Sequence, residues 1–404
     1  MLSYDDAIRI VLDTVTPLEP VEMPLEQAVG HVLAEPVRAL WDLPPADNSA
    51  MDGYAFAFAG QAEGDALRLV GSAFAGHPLD RRVEPGEAVQ ITTGAPLPPG
   101  TDTVVPVEET EALEGAIRLL KAPKPGQHVR ARGEEFHGDE ELLEAGVELR
   151  AGEIGLLASA GISRVRVRPR PRVAILSTGD ELVELGQTPG PGQIVNSNLY
   201  LLSARLRELG CEPMALGIGR DTPDALAEAI GAGLQTDLIL STGGVSVGAK
   251  DHVQETLLGL GFERKFWKVA IKPGKPVLFG TLQGKPVFGL PGNPAASAAT
   301  FELFVRPALR ILAGQEDPLP PRLRGHLAED VHGGGKRQAF LWCRLEEEDG
   351  QFRVIPSRRQ GSGQNRSLQG ACALLPVAVG GPDLPAGSDV EVLLLRLPPG
   401  RKEV

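Results

Sequence analysis

Ser241-Thr242-Gly243-Gly244-Val245-Ser246-Val247-Gly248-Ala249-Lys250-Asp251 follows a short apolar run, Leu238-Ile239-Leu240, and leads into an amphipathic segment. A strand that ends in glycines and passes into a helix suits an anion. Gly243, Gly244 and Gly248 let backbone N–H groups come close, Ser241 and Ser246 donate hydrogen bonds, and the helix N-terminus adds positive potential. Asp251, closing the stretch, is placed to hold a cation. A second reading stands beside this one, because Gly244 to Gly248 also fits Gly-x-Ser-x-Gly, the nucleophile turn of a serine hydrolase, centred on Ser246.

Outward from this stretch, strands alternate with helices from residue 172 onward. Val173 to Leu176 and Ala215 to Ile218 read as strands, with a helix over Leu199 to Leu209 that carries Leu202, Leu206 and Leu209 on one face. Thr222 makes an N-cap with Pro223 at the first helical position, and Leu226, Ile230 and Leu234 form the apolar stripe behind it. Val253, Leu257 and Leu260 mark the helix after the glycine-rich loop. Strands follow near Phe266 to Ile271, Val277 to Phe279 and Val287 to Leu290, and then a helix runs from Asn293-Pro294 toward Leu312. Such alternation builds an open, mainly parallel sheet whose ligands sit outside the carboxyl ends of the strands.

The loops after those strands carry the chemistry. They read Ser177-Thr178-Gly179-Asp180-Glu181, Gly219-Arg220-Asp221, the quoted stretch, and Gly289-Leu290-Pro291-Gly292-Asn293-Pro294, which enters a helix. Glycine-rich turns of this kind suit a phosphate or another oxyanion, so Ser177, Thr178, Gly179, Ser241, Gly243, Gly244, Ser246, Gly248, Pro291 and Pro294 form the candidate phosphate-binding set. Glu181, Asp221 and Asp251 offer the hard oxygen ligands that Mg²⁺ prefers. Ile271-Lys272-Pro273-Gly274-Lys275-Pro276 adds two cations on a rigid turn.

The first part of the chain is organised differently. A helix around Ile8, Val11 and Leu12 gives way to extended, proline-rich sequence, and a second helix is expected over Leu25 to Leu33. Ala66 to Val70, Ala88 to Thr92, Thr103 to Val107 and Ala116 to Leu120 are short β-like runs between Gly and Pro clusters. Leu142 to Gly161 turns helical again. Arg164 to Arg172 alternates Arg first with Val and then with Pro, the pattern of an edge strand with solvated arginines followed by a linker. These shifts give a discontinuous helical domain over 1–45 and 143–170, an inserted mostly β domain over 46–142, and an α/β domain from 171 onward.

Composition sets the outer limits. The 404 residues are 42% apolar and 23% charged, enough for several cores, and the formal net charge of −13 argues against a general nucleic-acid surface. No apolar run approaches a membrane span, and Asp5 and Asp6 stand where a signal peptide is basic and then apolar, so a cytoplasmic protein is expected. Cys211, Cys343 and Cys372 are far apart with no Cys-x-x-Cys spacing and read as buried thiols. Chain order weakens the hydrolase reading. His332-Gly333-Gly334-Gly335, which resembles a lipase oxyanion loop, follows Ser246 instead of preceding it.

Six motifs, in order, carry a family resemblance: Asp47-Asn48-Ser49-Ala50-Met51-Asp52-Gly53-Tyr54-Ala55, Thr92-Thr93-Gly94-Ala95-Pro96, Ser177-Thr178-Gly179-Asp180-Glu181-Leu182, Gly243-Gly244-Val245-Ser246-Val247-Gly248, Lys272-Pro273-Gly274-Lys275-Pro276 and Leu290-Pro291-Gly292-Asn293-Pro294. Together the chain closely resembles the molybdopterin molybdenumtransferase (MoeA) family, whose animal relative is the C-terminal domain of gephyrin. That resemblance implies four domains, the discontinuous helical and inserted β domains above with a molybdopterin-binding α/β/α domain over 171–318 and a C-terminal β-barrel-like domain over 319–404, in a homodimer with clefts between subunits. It also implies the reaction: molybdenum from molybdate enters adenylylated molybdopterin, with Mg²⁺ as cofactor and AMP as product, and a molybdopterin adenylyltransferase is an expected partner. By resemblance Lys272, Lys275, Ser297, Arg337 and Ser362 hold molybdate, while Glu181, Asp221 and Asp251 serve metal binding and turnover. Asp52 and Thr93 match positions expected to reach the partner's cleft. Glu135 follows Arg132-Gly133-Glu134 where the family usually has Asp; it keeps a carboxylate one methylene longer and remains a site residue. A gephyrin-like scaffold on the same fold is the alternative, against which the acidic residues and both lysines argue.

Overall fold

The computed structural model describes residues 1–220, 222–244, 252–348 and 350–398. Two compact units divide the chain: Met1–Val21 with Gly30–Ala34 and Val167–Val404 in one, Glu22–Val29 and Glu35–Arg166 in the other.

In the first unit, helix α1 (Tyr4–Thr14) starts at Ser3, whose hydroxyl accepts the Asp6 N–H at 3.1 Å. The α/β region then runs through β1 (Arg172–Thr178), α2 (Ser197–Glu208), β2 (Glu212–Gly219), α3 (Pro223–Gly233), β3 (Leu238–Thr242), α4 (His252–Gly259), β4 (Glu263–Trp267), β5 (Ile271–Lys272), β6 (Leu278–Leu282), β7 (Lys285–Leu290), α5 (Pro294–Thr300) and α6 (Arg306–Leu312), with a π-helical turn over Phe301–Val305 joining the last two. Six strands make one sheet in the order β2-β1-β3-β7-β6-β4. The first four are parallel, and β7-β6-β4 is antiparallel.

Period-2 alternation explains how both faces of this sheet are buried. Val173, Ile175, Leu238 and Leu240 face one core with Leu199, Leu202 and Leu206 of α2 and Ala7, Ile8 and Val11 of α1. Ala174, Leu176 and Ile239 face the other, against Leu226 and Ile230 of α3 and Val253 and Leu257 of α4. Strands covered on both sides read as continuous apolar runs, which is why β1 and β3 were recognisable. Thr222 does stand at the N-cap of α3 with Pro223 inside it, but its side chain makes no capping hydrogen bond. Leu260 is a correction, since α4 ends at Gly259, Gly261 turns left-handed at φ +90°, and Leu260 is exposed instead of packed.

The rest of this unit is a small barrel. Strands β8 (Arg322–Leu327), β9 (Gln338–Glu348), β10 (Gln351–Pro356), β11 (Ala373–Val377) and β12 (Asp389–Leu394) pair in the cycle β9-β10-β8-β12-β11 and close through β11 and β9. Closure leaves no open edge among the five, and Cys343, Leu345, Val354, Cys372, Leu375 and Val392 fill the interior. The short β5 attaches outside, parallel to β9, with Ile271 opposite Gln338 and Lys272 opposite Ala339.

The second unit centres on a six-stranded sheet ordered Thr103–Pro106, Gly53–Phe56, Glu87–Ile91, Ala66–Ala73, Ala116–Leu119 and Thr110–Leu113. Gly53 is required where its strand meets Val105, because a Cβ there would collide with the Val105 carbonyl. Three expectations for residues 1–170, across both units, are corrected. Leu25–Leu33 is not a helix: Leu25–Gln27 makes one 3₁₀ turn, Gly30 turns at φ +78°, and Val32–Leu33 is a strand. Within Leu142–Gly161 only Ala151–Ser159 is α-helical, and Glu141–Leu143 is a strand paired with Val37–Arg38. Arg164–Arg168 is the middle strand of a three-stranded sheet, not an edge; its valines are buried, and Arg164 and Arg166 pair with Glu22 and Glu35.

Candidate active site

The parallel strands end level with one another. Thr178 lies opposite Gly219, Ser177 opposite Thr242, and Thr242 opposite Leu290, so the loops after β1, β2, β3 and β7 leave from one edge. Four hydroxyls, from Ser177, Thr178, Ser241 and Thr242, are buried there. Thr178 Oγ1 donates to the Thr242 carbonyl at 3.4 Å, whereas Ser241 Oγ has no hydrogen-bond partner. A buried hydroxyl without a partner is costly, and a bound ligand or water satisfies it.

Glycine keeps this edge open. Gly243 turns at φ +86°, where a Cβ would strike the Thr178 carbonyl, and at Gly244 (φ +61°) it would come within 2.5 Å of Val253 Cγ2 and 2.9 Å of Thr178 Oγ1. Gly179 (φ +143°) sits under the Glu181 carboxylate, 2.6 Å from where its own Cβ would be. Glu181 is exposed and lines a small pocket of about 40 Å³ with Thr178, Asn196, Asn198, Thr242 and Gly292. A space of that size takes water or a single polar group.

Asn196 and Asn198 were not singled out from the sequence. Asn198 Nδ2 donates to the Gly292 carbonyl at 2.8 Å and ties the β1 side of the edge to the Pro291-Gly292-Asn293-Pro294 turn. Asn198 Oδ1 and Asn196 Nδ2 are buried without partners. The available signal was the Asn-Ser-Asn cluster opening α2, where Asn196 accepts the Leu199 N–H at 3.4 Å.

The proposed oxyanion residues gather around α5. Gly274, at φ +104°, lies against Thr300 so closely that a Cβ would collide with its methyl, which presses the lysine turn onto α5. Ser297, one turn earlier on that helix, is fully buried with an unpartnered hydroxyl. Lys272 and Lys275 are exposed and meet no carboxylate among the described residues. Arg337 anchors the base of the same turn, donating from Nη1 to the Ile271 carbonyl at 3.0 Å. Ser362 arrives from the barrel: its Oγ accepts Asn293 Nδ2 at 3.2 Å and its carbonyl accepts the Ala296 N–H at 3.2 Å. The lysine turn, α5 and the Ser362 loop therefore form one neighbourhood beside Pro291 and Pro294.

In the second unit, Asp52 Oδ1 accepts both the Thr93 N–H at 2.7 Å and the Thr93 hydroxyl at 2.9 Å. The backbone donor first and then the hydroxyl hold the Asp52 carboxyl below its usual range, so it stays a carboxylate. Glu135 is exposed beside Leu43, Pro44, Asn48 and Arg130, and its N–H donates to Leu43 at 2.9 Å. Asp221, Ser246, Gly248 and Asp251 lie outside the described residues. Among the described residues no three His, Cys, Asp or Glu side chains come together as a metal site, so Glu181 is the described member of the proposed metal set.

Known proteins match this arrangement along its whole length. The chain matches the MoeA N-terminal region (domain I and II) over residues 2–161, a probable molybdopterin binding domain over 174–311, and the MoeA C-terminal region (domain IV) over 324–395. Molybdopterin molybdenumtransferase from Nostoc sp. is 38% identical over 414 residues, covering 98% of this chain and 94% of its own length. The chain belongs to the MoeA family. A second member, molybdopterin molybdenumtransferase from Haemophilus influenzae, is 38% identical over 319 residues, 78% of this chain and 79% of its own. Two structures of the MoeA protein from Pyrococcus horikoshii superimpose with TM-scores of 0.85 and 0.82 at 31% and 29% identity, each over 98% of this chain and 99% and 100% of theirs. The MoeA fold therefore accounts for both units and the barrel. Among the described residues no helix is long and apolar enough to cross a membrane.

Proposed function

We propose that this chain is a transferase of molybdenum cofactor biosynthesis that inserts molybdenum from molybdate into adenylylated molybdopterin and releases AMP. One observation carries the reading: the glycine-opened, hydroxyl-lined ends of β1 and β3 share an edge with the β7–α5 turn, against which the lysine turn and Ser362 are packed. The hydroxyls and backbone N–H groups at 177–179 and 241–244 bind the phosphates of the pterin substrate. Lys272, Lys275, Ser297, Arg337 and Ser362 orient molybdate, a dianion that needs cations and donors in a protein of net charge −13. Glu181, with Asp221 and Asp251, holds Mg²⁺; its exposed carboxylate at the edge is a suitable hard oxygen donor. An Mg²⁺ held by these carboxylates would supply charge neutralisation at the substrate phosphates.

The working form is a cytoplasmic homodimer in which Asp52, Thr93 and Glu135 complete the cleft of the other copy, and a molybdopterin adenylyltransferase supplies the substrate. The accessible Asp52 carboxyl, held below its usual pKa range by the Thr93 donors, supports that role. Reconstitution tests the function: the purified chain, given adenylylated molybdopterin, molybdate and Mg²⁺, is mixed with a molybdoenzyme lacking its cofactor. Activation of the acceptor is expected. Binding of the pterin without activation, where another family member succeeds, would make the chain a scaffold instead.

A further inference from the structure

Four arginines, Arg344, Arg358, Arg359 and Arg366, line one cleft of about 500 Å³ on the outside of the barrel, with Glu329 as the carboxylate among its lining residues. None of the four guanidinium groups makes an ion pair or a hydrogen bond among the described residues, although the backbone carbonyl of Arg366 accepts the Gln369 N–H at 3.3 Å. Several other arginines of this chain do meet carboxylates: Arg38 pairs with Glu141, Arg164 with Glu22, and Arg322 with Glu391. With 53 acidic against 40 basic residues, carboxylate partners are plentiful, yet four guanidinium groups without one gather in this single cleft. Like charges brought into a cleft repel one another unless an anion offsets them.

The cleft is built, not merely exposed. Ser357 and Gln360 hold the arginine-bearing loop to β9: Ser357 N–H and Gln360 Nε2 donate to the Trp342 carbonyl at 2.8 and 3.0 Å, and Ser357 Oγ donates to the Ser367 carbonyl at 3.0 Å. Gly370, at φ +72°, clears space for Arg344, whose Cδ would lie 3.2 Å from a Cβ there. No residue of the cleft belongs to the sheet-edge set, and no aromatic ring lines it, so there is no surface on which a base would stack.

We infer that this cleft binds a compact polyphosphate group, free or carried on a nucleotide, through bidentate guanidinium contacts to the phosphate oxygens. The cleft is roomy enough to admit a di- or triphosphate. The test is calorimetry on the full chain at physiological ionic strength, with inorganic pyrophosphate and ADP as probes. Saturable binding of both, with similar affinity, is expected, because only the phosphates are recognised. The double substitution Arg358→Gln with Arg359→Gln weakens binding by roughly a hundredfold, as each lost charged hydrogen bond is worth about tenfold or more. Binding survives Lys272→Ala, and molybdate-dependent AMP release survives the arginine double variant. Absence of saturable binding to either probe would overturn the inference, as would binding lost in Lys272→Ala but kept in the arginine variant, which would assign the anion to the sheet edge.

Discussion

Asp52 and Thr93 form a unit at the scale of single side chains, because one carboxylate oxygen takes both Thr93 donors and the other is left for a ligand. Thr93→Ala removes the hydroxyl donor and keeps the backbone one, so the Asp52 pKa should rise toward the ordinary carboxylate range without reaching it. Carboxylate NMR titration reads this directly, and an unmoved pKa would separate the two residues. Gly243 is the second residue-scale case: at φ +86° and in contact with the Thr178 carbonyl, it has no room for a side chain. Gly243→Ala should cost about 1–3 kcal/mol of stability and reduce turnover more than molybdate affinity, as seen by chemical denaturation and steady-state kinetics. The hydroxyls, glycines and lysines at this edge were legible in the sequence because each motif is short and local. Asn198 was not, since its value lies in a hydrogen bond to Gly292 on a distant segment.

Among the elements, strands buried on both faces announced themselves as apolar runs, and the helices between them by their stripes. Failures fell where burial imitates a helical period: Leu25, Ala28 and Val32 are all buried, yet Gly30 breaks the segment into a 3₁₀ turn and a strand. The barrel was expected only through the family resemblance, because closure of β11 onto β9 is a long-range pairing with no local signature. Its interior makes a prediction of its own. Burial pushes the Cys343 thiol up to about 12 and Cys211, beside the α/β core, also to about 12, from an ordinary 9.0. Between those values the folded state holds more protons than the unfolded one, so stability is fully present below pH 9 and falls as the pH climbs toward 12. Denaturation midpoints across that range check it, and a midpoint flat from pH 8 to 11 would contradict the burial argument. Thiol reagents at pH 8 should correspondingly react with these two cysteines only after unfolding.

For the molecule as a whole, the fold supplies two things that no single motif does: an α/β edge lined by hydroxyls and glycines, and a barrel that brings Ser362 onto the α5 turn while β5 carries Lys272 beside β9. Order of motifs along the chain was enough to identify the family from sequence. The meeting of Ser362 with Asn293, across a large separation in the chain, could come only from the structure. The central claim is that this composite edge couples molybdate to cleavage of the adenylyl group. Its most direct test is AMP release by the purified chain from adenylylated molybdopterin and Mg²⁺, measured with and without molybdate and repeated with Lys272→Ala. The account predicts molybdate-dependent release, with Lys272→Ala shifting the half-saturating molybdate concentration upward by about tenfold or more. Release indifferent to molybdate, or a Lys272→Ala variant with unchanged molybdate dependence, would contradict it.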